Sequence, residues 1–300
     1  MANPATKKPI DFHLVIPHFR GRELLEQLLQ SIHIAALQVR DWPGFQCRVW
    51  VVNDSPEVDL SGLLVSNSYA FNLQITGPDK NRGVAEARNF PLAQINRGFI
   101  AWIDQDDVLL PDYFTTLLPQ LRTDSVLLLN AVMKFNGKTQ QLYAVAPPIG
   151  RSTLSWYNPI RTPGMLVFPV EAVHENRWKF RNAGRHGGSD DWAFHFQWMG
   201  DLPLLYESRP LLLIHRGTQN VSRDVQAAFW SRWSNTGALL KSGKAPLALW
   251  LNAGFRAVFA PLFWLRFPGQ GAVYGLMSGL ERLRDPNFWY YLRMRYFSGR

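Results

Sequence analysis

Four short runs of apolar, β-favouring residues within the first hundred or so positions each lead into a polar cluster. No other feature limits the possible folds as strongly. The runs are Phe12–Ile16, Arg48–Asn53, Phe71–Ile75 and Phe99–Ile103. Between the first two, Leu25, Leu28, Leu29, Ile32 and Ala36 recur at helical spacing over Glu23–Leu37. A second helix is predicted over Gly83–Ile95, and Pro111, well placed at a first helical position, opens a third that runs to about Leu121. Strand-like runs alternating with helical ones predict an α/β domain whose sheet is mainly parallel and flanked by helices.

The second half is less regular. A strand over Ser125–Met133 leads to Asn136-Gly137, a dipeptide that favours a tight hairpin turn before Gln141–Val145. Pro147–Gly164, rich in proline and aromatic residues, reads as a long loop. A strand at Met165–Phe168, a Gly- and Arg-rich approach at Arg181–Gly188, a helix from about Ser189 and a strand at Leu211–His215 follow, and no internal repeat is found. A hydrophobic fraction of 47% over 300 residues is that of a folded, core-rich chain. The single cysteine, Cys47, lies in an apolar strand-like run, which excludes an intrachain disulfide and predicts a buried thiol. The first nine residues have no apolar core, so no secretory signal is expected.

In an open α/β sheet, ligands bind beyond the carboxyl ends of the strands. Here those positions read Pro17-His18-Phe19-Arg20, Asn53-Asp54-Ser55, Asn81-Arg82-Gly83 and Asp104-Gln105-Asp106-Asp107. Asp104 and Asp106 flank one residue of an extended segment, so their side chains leave the same side of the backbone. Such oxygen donors suit Mg²⁺ or Mn²⁺ shared with a diphosphate. An acidic loop capping the Pro111 helix is the alternative. Asp54 equally suits a turn before Pro56, Arg82 a solvated loop and Arg88 a helix surface. Asp190 and Asp191 after Ser189 suit the first turn of a capped helix, and His215 suits a structural strand end. Absence of G-x-G-x-x-G after the first strand argues against a dinucleotide oxidoreductase.

Taken together, these strand ends resemble the family 2 inverting glycosyltransferases of the GT-A fold. The matching pieces are Val15-Ile16-Pro17, Val51-Val52-Asn53-Asp54-Ser55, Asn81-Arg82-Gly83-Val84-Ala85-Glu86-Ala87-Arg88-Asn89, and Asp104-Gln105-Asp106-Asp107 followed by Pro111. The resemblance implies a GT-A nucleotide-diphospho-sugar transferase fold over residues 1–222, with a Rossmann-like sheet. It implies a nucleotide-sugar site at Pro17, His18, Phe19, Asp54, Arg82, Arg88, Asp104 and Gln105, with Asp54 toward the base and Asp104 near the ribose. Asp106, with His215, would hold Mn²⁺ or Mg²⁺. Asp191 would be the catalytic base and Asp190 its neighbour, at a position where the family more often has glutamate. His186 and His195 receive no role. The expected reaction moves a sugar from a UDP- or dTDP-sugar donor to a hydroxyl of a glycan or glycolipid acceptor. A non-catalytic nucleotide-sugar-binding scaffold of the same fold is the rival.

The net charge of +9 is concentrated at the end of the chain: from Val221 to Arg300 there are eleven Lys and Arg against Asp224, Glu281 and Asp285, together with five of the twelve tryptophans. Residues 223–300 therefore read as a separate basic, aromatic helical region. Pro246–Leu265 is almost long enough to span a bilayer, but Asn252, Arg256 and Pro261 interrupt it. An amphipathic helix lying on an anionic membrane meets these objections, with a spanning helix or a soluble helical subdomain as alternatives. Aliphatic content and the lack of any RNA-binding signature argue against a nucleic-acid partner. The expected location is cytoplasmic, peripheral on the inner face of the cell membrane.

Overall fold

The computed structural model describes residues 9–65, 68–135, 138–142, 149–156, 158–181, 189–216, 225–243, 245–254 and 257. The Asn136-Gly137 turn, His186, Gly187-Gly188, residues 217–222, Arg256 and Pro261 lie outside the described residues, as does the end of the tail. The chain forms two compact units. The first comprises residues 1–142, 162–179 and 202–216, the second residues 143–161, 180–201 and 217–300.

The first unit is built on one sheet. Its strands are β1 (Ile10–His18), β2 (Phe45–Asn53), β3 (Asn72–Thr76), β4 (Phe99–Trp102), β5 (Val108–Leu109), β6 (Val126–Phe135), β7 (Lys138–Leu142), β8 (Leu166–Pro169) and β9 (Leu204–Arg216). They are ordered β3-β2-β1-β4-β8-β6-β9-β5, with β7 paired to β6. The first four strands are parallel neighbours, as their alternation with helices requires. β1 is buried from Asp11 to His18 because strands flank it on both sides and helices cover its faces. The helix Arg22–Leu37 buries Leu25, Leu28, Leu29, Ile32 and Ala36, the stripe expected from spacing.

The expectation of a mainly parallel sheet needs correction, because the sheet is mixed. β8 runs antiparallel to both β4 and β6, β5 runs antiparallel to β9, and only β6 with β9 is parallel in this half. The β6–β9 ladder slips register around Asn130 and Pro210. Proline has no N–H to give the ladder, and the Asn130 side chain instead donates to the Ser208 carbonyl at 2.7 Å. β9 begins seven residues earlier than the Leu211–His215 run predicts. The loop predicted over Pro147–Gly164 contains a helix, Arg151–Trp156, and a 3₁₀ turn at Pro163–Met165. The helices expected from Gly83 and Pro111 are shorter, Val84–Asn89 and Tyr113–Leu117, and both give way to 3₁₀ turns.

In the second unit, helix Asp190–Trp198 buries Trp192, Phe194, Phe196 and Trp198, with Phe180 stacked on Phe194 at 4.1 Å. Arg151 ties down the far end of this helix through the Phe196 and Gln197 carbonyls and Asp201. Helix Val225–Lys241 belongs to the same unit, and the Asn235 amide donates to the Ser189 carbonyl at 3.0 Å. Among the described residues no helix is long and apolar enough to cross a membrane. Helical residues 247–254 bury Leu249 and Asn252 and expose Leu247, Trp250 and Leu251.

Gly98, at the entry to β4, has φ +94°, and a Cβ there would sit 2.2 Å from the Asp11 carbonyl oxygen. Gly98→Ala therefore combines a left-handed alanine with a backbone overlap. We expect a loss of at least about 2 kcal/mol in urea denaturation.

Candidate active site

The sheet order places the carboxyl ends of β1 and β4 side by side where the chain reverses direction across the sheet, the position at which open α/β sheets bind ligands. Four polar segments meet there and are joined by hydrogen bonds. Gln105 clamps the loop after β1, its Oε1 accepting from the Phe19 amide at 3.0 Å and its Nε2 donating to the Phe19 carbonyl at 3.2 Å. The Arg20 amide donates to Ser55 Oγ at 3.1 Å, and the Asp54 amide donates to the His18 carbonyl at 2.8 Å. Arg20 takes a left-handed conformation, φ 55°, and its guanidinium packs over the exposed Phe19 ring. A non-glycine residue in that region costs of order 1–2 kcal/mol, held here by the surrounding bonds.

Asp54 is buried, and its two carboxylate oxygens accept the backbone amides of Arg82 and Gly83 at 2.7 and 2.8 Å. These amides open helix Val84–Asn89, so the carboxylate stands where helix N–H groups favour negative charge. The structure thus adds a second task to the turn expected before Pro56: Asp54 anchors the Arg82 loop to the end of β2. The Arg82 side chain is exposed.

His18 is fully buried at the end of β1, with Pro17 before it in the ladder with β2. Its Nδ1 lies 3.1 Å from Asn53 Oδ1, which makes Nδ1 the protonated nitrogen and leaves the lone pair on Nε2. Burial holds its pKa below the ordinary histidine value, against the Asn53 bond that raises it, so the ring is neutral near pH 7. Among the described residues Nε2 has no hydrogen-bond partner.

The acidic cluster is divided by its contacts. Arg88, buried on its short helix, donates to Asp104 Oδ1 at 2.5 Å, so the helix-surface alternative for Arg88 does not hold. Thr162 Oγ1 lies 3.1 Å from Asp104 Oδ2 and 3.3 Å from Asp107 Oδ2. Asp107 is buried, whereas Asp106 keeps partial exposure. The Asp106 carbonyl accepts from His215 Nδ1 at 2.8 Å. With Nδ1 committed to that carbonyl, Nε2 is the ring nitrogen that could ligate a metal, the arrangement common in metal-binding histidines. Among the described residues no three His, Cys, Asp or Glu side chains form a ready-made metal site. A carboxylate and an imidazole still fit Mg²⁺ or Mn²⁺, because such ions commonly take one or two protein ligands and complete their shell with substrate phosphates and water.

The second unit carries the other pair of acids. Asp190 is buried and Asp191 half-buried in the first turn of helix Asp190–Trp198, and Asp191 Oδ1 accepts from the Trp192 amide at 2.6 Å. Ser189 occupies the N-cap position but makes no side-chain cap and is left-handed, φ 56°. His195 is buried on the same helix.

Thr162 and Asn53 are two site residues that sequence reasoning did not single out. Thr162 lies 58 residues from Asp104, in a stretch read as loop. Asn53 stands at a strand end, where the Asn-Asp-Ser sequence is itself a turn signal.

The site is a polar cluster at the switch point of an α/β sheet, the place where such sheets bind ligands. A family model described as glycosyl transferase family 2 matches residues 14–176, and the chain belongs to that family, with the GT-A fold. No curated protein matches the chain. Among solved structures, S. aureus TarS 1–349 in complex with UDP-GlcNAc has a TM-score of 0.58 at 16% identity, over 77% of this chain and 67% of that one. A structure of S. aureus TarS that is not limited to residues 1–349 is covered over only 38% of its length. The mannosyltransferase PcManGT from Pyrobaculum calidifontis, in complex with GDP-Man and Mn²⁺, has a TM-score of 0.55 at 15% identity, over 96% of this chain and 84% of that one.

The Arg88–Asp104 pair offers a direct check on this geometry. Arg88→Ala leaves Asp104 without its guanidinium inside a hydrogen-bonded cluster. We expect a stability loss of about 3 kcal/mol, the low end for breaking a buried pair because Asp104 keeps some solvent contact, read by urea denaturation.

Proposed function

We propose that the chain is a metal-dependent, inverting glycosyltransferase that moves a sugar from a nucleotide-diphosphate donor to an acceptor hydroxyl. The observation that carries this is the union of four strand-end segments by the Gln105–Phe19, Ser55–Arg20, Asp54–Arg82/Gly83 and Arg88–Asp104 bonds at the sheet's switch point. Pro17, His18, Phe19, Asp54, Arg82, Arg88, Asp104 and Gln105 are assigned to the nucleotide-sugar. The buried Nε2 of His18 is an acceptor suited to a donor group of the nucleotide. Asp104, already shared between Arg88 and Thr162, faces the ribose side, while Arg88 acts by fixing Asp104.

Asp106 and His215 are the residues that would hold a divalent cation, Mn²⁺ or Mg²⁺. Such an ion supplies charge neutralisation for the departing diphosphate. The ions and donors named with the related structures, Mn²⁺, UDP-GlcNAc and GDP-Man, support a divalent ion and a nucleotide-sugar donor without choosing the base. Asp191 takes the proton from the acceptor hydroxyl as that oxygen attacks the anomeric carbon, and Asp190 supports it.

The acceptor is proposed to be a cell-surface glycan or a lipid-linked glycan. Residues 1–222 would carry the transferase chemistry, with helix Val225–Lys241 joined to residues 180–201 in the second unit, and the rest of 223–300 would dock on the anionic inner face of the cytoplasmic membrane. The excess of basic residues in the tail and the exposed Leu247, Trp250 and Leu251 support that docking.

Three measurements test the proposal. In a screen of UDP- and dTDP-sugars, a true donor at a hundredfold excess over its Kd should raise the melting temperature by about 4 °C with Mn²⁺, and by much less with EDTA. Asp191→Asn should retain that donor-induced shift while kcat falls by about 10²–10⁴-fold. Near-normal turnover of that variant would reject the base assignment. Full-length protein should float with anionic liposomes at low salt, and protein left in the soluble fraction would reject the membrane reading.

A further inference from the structure

Helix Val225–Lys241 buries a polar face. Ser231, Asn235 and Thr236 are each at most 5% exposed, and the half-buried Arg232 lies among them. Polar side chains are buried at a cost unless they are matched, so what this face meets is informative. The Asn235 amide donates to the Ser189 carbonyl at 3.0 Å, just ahead of Asp190 and Asp191. The Arg232 guanidinium stacks over the Trp192 ring, 3.4 Å from its centroid, and donates through Nη2 to the Leu154 carbonyl at 3.3 Å. Trp192 is itself pinned through Nε1 to the same carbonyl, at 2.8 Å. The residue before it in sequence is Asp191, whose Oδ1 accepts the Trp192 amide. The cation is therefore held by a ring plane and a carbonyl, against the residue that follows Asp191 in the chain.

We infer that Arg232 is a positioning residue for Asp191, a fixed positive charge that keeps this carboxylate ionised and in place. The inference rests on the proposed reading of Asp191 as the base. Burial pushes the Arg232 pKa down to about 9, and the Asp191 carboxylate is the influence that raises it against that burial. Electrostatic attraction is mutual, so a cation held here acts on the carboxylate as the carboxylate acts on it.

The charged and titratable groups on the packed elements are few among the described residues. Asp190 and His195 share the helix, and Arg151 on Arg151–Trp156 is engaged at its far end with Asp201. Helix Val225–Lys241 contributes Arg232, the one cation among these described groups at the first turn.

Arg232→Met keeps the aliphatic stack on Trp192 and removes the charge, while Arg232→Lys keeps the charge and loses the plane. Asp191 can be titrated directly by ¹³C carboxyl NMR of aspartate-labelled full-length protein, its resonance identified by its absence in Asp191→Asn. We expect the Asp191 midpoint to rise by about 1–3 pH units in Arg232→Met, and to stay within half a unit of the parent in Arg232→Lys. The acidic limb of the kcat profile for UDP-sugar hydrolysis with Mn²⁺ should move in the same direction. If Arg232→Met does not fold, Arg232→Gln, neutral and able to keep the Leu154 bond, takes its place. An unchanged midpoint in a folded neutral variant overturns the inference, as does an equal rise in Arg232→Lys. Full turnover by Asp191→Asn would instead overturn the base reading, and the titration separates the two failures.

Discussion

The Asp54 carboxylate holds the amides of Arg82 and Gly83, and the remainder of the strand-end cluster is built outward from that contact. It fixes the start of a six-residue helix too short to be stable by itself. That helix carries Arg88 to Asp104, and Thr162 connects Asp104 to Asp107. From the other side, Asp54 gives its own amide to His18, while Gln105 returns from β4 to grip Phe19. Side chains from loops far apart in sequence are thus held by bonds of 2.5–3.3 Å before any ligand arrives. Such preorganisation is what electrostatic assistance to a departing diphosphate requires.

Backbone strain accompanies both stations. Arg20 and Ser189 are non-glycine residues in the left-handed region, one beside the Phe19 clamp and one just before the Asp190-Asp191 pair. Each is secured by a bond from another element, the Arg20 amide to Ser55 and the Ser189 carbonyl from Asn235. The local cost is offset by fixing where the following side chains start.

The parallel half of the sheet and its polar ends were legible because they depend on local pattern: a β-run, a polar terminus, then a helical stripe. The stripe of helix Arg22–Leu37 matched residue by residue. What was not legible depends on distant partners. Antiparallel β8 between β4 and β6, the early start of β9 and its slip at Pro210 follow from pairings that no local periodicity encodes. Helix Arg151–Trp156 was hidden in a proline- and aromatic-rich stretch, and Val225–Lys241 was absorbed into a tail read by its charge. The strand-end acids were legible by position, but not how the fold divides their contacts. Only the fold shows that Asp104 belongs to Arg88 and Thr162, and that His215 grips the Asp106 carbonyl. In sequence Arg232 is one of eleven basic residues of the tail, and only the packing of its helix on the start of helix Asp190–Trp198 sets it apart.

The central claim is that the strand-end cluster binds a nucleotide diphosphate together with a divalent ion through Asp106. Isothermal titration calorimetry of UDP into the full chain, with Mn²⁺ and again with EDTA, addresses it without knowledge of the sugar or acceptor. The account predicts Mn²⁺-dependent binding that weakens at least about tenfold in Asp106→Ala, a difference of about 1.4 kcal/mol or more. Equal affinity with Mn²⁺ and EDTA, unaffected by that substitution, would contradict it.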